Sequence, residues 1–133
     1  MNDMLLLSAT ELGQKIKPGE ISPVEAVDAC LARIEATEPN LNAYVRVLAD
    51  EARAAANQAE QEIAAGQWKD PLHGVPVALK DLYDLAGVPT TASSRVRESW
   101  TPDADSAAAE RLKAAGAIVL GKTHTHEFAC GIV

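Results

Sequence analysis

The sequence predicts an α/β fold in which a layer of N-terminal helices precedes the beginning of a mixed, largely parallel sheet. Three observations carry this reading: two capping boxes near the start, an alanine-rich helical stretch in the middle, and two apolar runs flanking a further helix near the end. With 133 residues, 47% of them hydrophobic, the chain is the size of one domain and has enough apolar side chains to form a core.

Ser8-Ala9-Thr10-Glu11 and Ser22-Pro23-Val24-Glu25 each place a hydroxyl and, three residues later, a carboxylate where they can satisfy the free amides at a helix start. Pro23 at the first helical position strengthens the second signal. From there Val24, Val27, Leu31 and Ile34 recur at helical spacing, so one stripe of an amphipathic helix faces a core. A third helix is read from about Ala49 to Ala65, with Asp50 and Glu51 in its first turn and Gly66 placed to end it.

After Gln67 to Asp70 the pattern changes. Val75-Pro76-Val77-Ala78-Leu79 is uniformly apolar, as for a strand covered on both faces, with Pro76 tolerable only near the strand's start or at an edge. A fourth helix from Asp105 or Ser106 to Ala115, closed by Gly116, leads into the second run, Ala117-Ile118-Val119-Leu120-Gly121. Strand, helix, strand in this order indicates a parallel pair. Residues 1–70 therefore read as a helical layer and residues 71–133 as the start of an α/β core, with no internal repeat or low-complexity linker. The apolar end Gly131-Ile132-Val133 is abrupt, without a polar tail or cap.

Nineteen acidic against twelve basic side chains, the latter scattered, disfavour direct binding of nucleic acid or an anionic membrane surface. Met1 to Ser8 lacks the basic start and long apolar stretch of a secretory signal, and no run is long enough to span a bilayer. Cys30 and Cys130 are too few and too far apart for a disulfide scaffold. A cytoplasmic protein with free thiols is the expectation, Cys130 being read as a buried structural thiol. Trp68, Trp100, Tyr44 and Phe128 are read as packing anchors.

The chemistry-bearing candidate is Lys80, where the first apolar run gives way to Asp81. A lysine at the end of such a strand sits at the sheet rim where open α/β folds bind ligands, and burial there would lower its pKa. The same position also suits a lysine that extends into solvent. A carboxylate of Asp81 or Asp84 paired with Lys80 would hold its proton on, although neighbouring extended positions face opposite ways.

Gly74-Val75-Pro76-Val77-Ala78-Leu79-Lys80-Asp81, the segment Ala86 to Ser94, Gly116-Ala117-Ile118-Val119-Leu120-Gly121-Lys122-Thr123 and His126-Glu127-Phe128-Ala129 together resemble the N-terminal part of the amidase signature family. The resemblance extends to Gly19-Glu20-Ile21-Ser22-Pro23-Val24-Glu25 and Ala32-Arg33-Ile34-Glu35. It implies hydrolysis of carbon–nitrogen amide bonds by a serine, a second serine in a cis peptide and a lysine, the last falling on Lys80 as general base. It requires no metal or organic cofactor. The segment supplying both serines and the oxyanion-binding amides follows later in the family, so the chain is expected to be inactive alone. A small-molecule amide is the implied partner, with neither nucleic acid nor membrane, and assembly into a homo-oligomer is compatible with this reading.

Rival sources of chemistry are present in the sequence. Ser93 and Ser94 could stand in as local nucleophiles, but hydroxyls in such a loop usually satisfy backbone groups. At Ser93 the family commonly has glycine. His124-Thr125-His126-Glu127 is similar to the metal-binding histidine pair of the unrelated barrel-type amidohydrolases, yet its flanks match the amidase pattern. The transamidating subunit that works on misacylated tRNA shares these motifs. His126-Glu127-Phe128 is nearer the free-standing amidases than the Asp-Glu-Phe of that subunit. A non-catalytic truncated product is the remaining alternative.

Overall fold

A computed structural model describes residues 3–131. The outermost parts of the readings made on Met1 to Ser8 and on Gly131 to Val133 fall outside that range. Among these residues four α-helices, α1 (Ala9–Ile16), α2 (Pro23–Leu41), α3 (Ala49–Ala64) and α4 (Ala107–Ala114), accompany three strands, β1 (Tyr44–Val47), β2 (Pro76–Lys80) and β3 (Ile118–Thr123).

Both capping boxes form as the sequence dictates. The Ser8 and Ser22 hydroxyls accept from the amides of Glu11 and Glu25 at 3.2 and 3.0 Å, and each carboxylate returns the bond to the serine amide. Two amides at each helix start are thereby satisfied, a contribution of about 1 kcal/mol per cap. Asn42 ends α2 in the left-handed conformation.

The sheet order is β1-β3-β2. β2 and β3 run parallel, from Pro76 opposite Ile118 to Lys80 opposite Thr123, as the strand-helix-strand pattern implied. β1 joins the other side of β3 antiparallel, with Arg46 opposite Lys122 and Val47 opposite Gly121. The sequence pattern gave no sign of this strand, because four residues between two helices show no periodicity. Gly121 lets it in: a Cβ there would lie 2.2 Å from the Arg46 carbonyl oxygen.

Helices cover both faces of β3. Ile118 and Leu120 pack with Val27 and Leu31 of α2 and with Ala52, Ala56 and Ala59 of α3. The small alanines bring α3 close to its neighbours. On the opposite face Val119 and Leu79 pack with Leu85, Ala109 and Leu112. A third cluster joins Leu12, Ile16, Ala26 and Val75 beneath Trp68.

β3, not β2, is the strand buried on both faces. In β2 only Leu79 is buried while Ala78 and Lys80 are exposed, because β2 lies at an edge of the sheet among the described residues. Two anchor readings also fail: Trp100 and Phe128 are each 49% exposed, whereas Trp68 and Tyr44 are partly buried. Cys130 is exposed rather than buried, and both cysteines are free. Among the described residues no helix is long and apolar enough to cross a membrane.

Candidate active site

Parallel register brings the C-terminal ends of β2 and β3 together, and the segments leaving them, Asp81 to Ser94 and His124 to Cys130, close over the same sheet end. Lys80 is the last residue of β2. Its side chain is exposed, against the expectation of burial, since an edge strand leaves its final residue at the rim. Neither Asp81 nor Asp84 pairs with it, and no ion pair among the described residues includes it.

The buried amine is Lys122. It is fully enclosed in β3, with its Nζ 2.9 Å from Asp81 Oδ1 and 3.0 Å from Thr90 Oγ1. Asp81, also fully buried, accepts through Oδ2 from the Thr91 amide at 3.0 Å and from the Thr91 hydroxyl. Its backbone N–H donates to Thr123 O and its carbonyl accepts from Ala92 N, each at 2.9 Å. Sequence reasoning missed this network, although a signal existed. A lysine at the end of an apolar run that becomes a strand buried on both faces needs a buried counter-charge, and Asp81 follows the strand alongside.

Beyond Thr91 the loop is strained. Ala92 and Ser93 both lie at φ +52°, in the left-handed region that side chains enter at a cost of about 1–2 kcal/mol per residue. That conformation explains why a glycine suits position 93. Cross-links to the β3 exit hold the loop there. Ser94 donates to Glu127 Oε1 at 2.6 Å, Ser93 Oγ accepts from Thr125 N at 3.1 Å, and Phe128 N donates to Ala92 O at 2.9 Å. Ser93 Oγ also faces His124 Nδ1 at 3.4 Å. Both serines therefore brace the loop, and neither bonds Lys80.

His124 and His126 do not converge on a metal-binding set. Among the described residues no three His, Cys, Asp or Glu side chains cluster that way. A cleft of about 290 Å³ elsewhere is lined by Glu62, His73 and Lys113, whose charged groups are already occupied by Lys69, by each other and by Asp105. The Cys30 thiol is pushed up by burial, which suits a packed thiol rather than a nucleophile.

The family model for Amidase matches residues 25–133. The chain belongs to this family, the amidase signature family. It is 54% identical over 131 residues to an amidase of Pseudomonas putida, covering 98% of this chain and 28% of that protein. To a glutamyl-tRNA(Gln) amidotransferase subunit of Anaeromyxobacter dehalogenans it is 46% identical over 129 residues, 97% of this chain and 26% of that one. The native peptide amidase of Stenotrophomonas maltophilia superposes with a TM-score of 0.84 at 33% identity, over 91% of this chain and 25% of that structure. The chain thus spans about a quarter of the length of these relatives, and its mixed α/β fold is part of the amidase signature fold.

Proposed function

We propose that this chain is the N-terminal part of a cytoplasmic amidase domain, contributing Lys80 as general base to a Ser-cisSer-Lys triad whose serines come from outside residues 3–131. Residues 1–70 supply the helical layer together with the sheet's antiparallel strand β1, and residues 71–133 the start of the core that carries Lys80-Asp81. The observation that carries the reading is Lys80 itself: an exposed amine at the C-terminal rim of a parallel pair. Among the described residues it has no carboxylate in ion-pair contact, because Asp81 is engaged by Lys122.

In the proposed reaction Lys80 takes the bridging serine's proton as that serine takes the nucleophile's. The nucleophile's oxygen bonds the amide carbon, and the proton returns to the departing ammonia or amine as the C–N bond breaks. Water then hydrolyses the acyl-enzyme. Exposed Leu82, Tyr83 and Phe128 in the segments leaving this sheet end, with Val96 and Trp100 further along the first of them, support the reading, since large apolar side chains left open suit coverage by further chain.

The test uses the longer protein carrying this segment. Lys80→Ala is expected to abolish hydrolysis of a primary amide with little change in thermal melting, while the 133-residue chain alone shows no turnover. Full activity in Lys80→Ala, or amide turnover by the isolated chain, refutes the proposal. The 46% identity to an amidotransferase subunit supports a second reading, a transamidating enzyme acting on glutamine and misacylated tRNA. Glutaminase activity that appears only with partner subunits would favour it.

A further inference from the structure

We infer that Asp81 and Lys122 are positioning residues for Lys80, and that their buried ion pair fixes both the lysine's place on the rim and the loop wall beside it. The inference rests on the catalytic reading of Lys80.

Asp81 follows Lys80 directly, and its backbone groups and Oδ2 are hydrogen-bonded while Oδ1 is met by the Lys122 ion pair alone. Its N–H bonds Thr123, the residue opposite Lys80 in register, and its carbonyl bonds Ala92. Its carboxylate holds Lys122 on one oxygen and Thr91 on the other. Lys122 in turn reaches Thr90, so β2, β3 and the Thr90–Ala92 loop meet at one buried charge pair. Freedom of the backbone just after Lys80 is thereby removed from three directions.

Stability alone gives a poor account of this pair. Two enclosed charges lose their hydration, and apolar residues of similar volume generally fill such a space equally well or better. The pair does what apolar residues cannot. It gives direction: Asp81 points inward to Lys122, which leaves Lys80 without an ion-pair partner among the described residues, and Oδ2 grips the Thr91 amide at the entrance to the left-handed Ala92-Ser93 stretch. Thr91 Oγ1 carries the grip one step further by accepting from Ser93 N at 3.1 Å. A clamp of this kind acts on catalysis through geometry, where a displacement of about 1 Å costs on the order of a hundredfold in rate.

The experiment uses the longer enzyme with acetamide, propionamide and benzamide as probes, taking whichever the wild type turns over fastest. Asp81→Asn/Lys122→Met replaces the pair by a neutral one and is expected to fold. Thr91→Val keeps the side-chain shape and removes only the hydroxyl. The expected result is a kcat at least tenfold below wild type in both, with KM within twofold and both variants folded at the assay temperature. Wild-type kcat in the folded double variant, with Lys80→Ala inactive, overturns the positioning role while leaving the reading of Lys80 standing. Activity in Lys80→Ala, or no turnover of any probe by the wild type, overturns both.

Discussion

At the N-terminal ends of β2 and β3 the chain is closed. His73 is fully buried, with Nδ1 accepting from the Lys69 amide at 3.3 Å, which leaves the proton on Nε2 to donate to Glu62 at 3.0 Å. Lys69 completes the group at 2.7 Å from Glu62 Oε2, and Gly116 packs so closely that a Cβ would lie 2.4 Å from the imidazole. At the C-terminal ends, one ion pair is sealed below the surface while the amine above it, Lys80, and several large apolar side chains stand exposed. The contrast separates charge used to hold a fold together from an amine left open at the rim. The first kind has its partners within the chain, and the second has no ion-pair partner among the described residues.

The sharpest way to break this contrast is at Lys122. Lys122→Met leaves the Asp81 carboxylate buried without its cation, and a loss of about 3–5 kcal/mol is expected in urea unfolding. Adding Asp81→Asn should restore most of it. If the single variant is as stable as wild type, the pair is not sealed as described.

Gly116→Ala tests the closed end. The residue lies at φ +86° against His73, so strain and overpacking add, and about 2–3 kcal/mol of destabilisation is expected by the same measurement.

Glu62 gives a smaller, pH-dependent effect. Hydrogen bonds from Lys69 first, then from Gln58 and His73, hold its carboxyl down at about 2, below the ordinary 4.5. A group whose folded pKa is depressed stabilises the fold above its unfolded value and loses that contribution as pH falls through the folded one. The stability advantage of wild type over Glu62→Gln should therefore be constant above pH 4.5 and vanish between 4.5 and about 2. An advantage that persists at pH 2 would contradict the assignment.

The smallest effects are expected at the open end. Trp100→Ser, Phe128→Ser and Lys80→Ala should each change unfolding free energy by no more than about 0.5 kcal/mol, because exposed side chains lose little. The two aromatic changes should also reduce self-association in light scattering.

Much of this is legible in the sequence. Both capping boxes, the ends of α3 and α4 and the parallel β2-β3 pair follow from local chemistry and periodicity, which depend on residues a few positions apart. The family, too, was carried by ordered motifs along the chain. Tertiary structure decided which of two apolar runs became the central strand, because that depends on β1, a partner far from β3 in the sequence. It also decided which lysine was buried. Lys80 and Lys122 both close an apolar run, and the sequence singled out the first. Only the alignment of β2 with β3 placed Asp81 beside Lys122, satisfying one amine and leaving the other exposed at the rim. Charge pairing between residues so distant in the chain is a property of register, and register is set by packing rather than by any local signal.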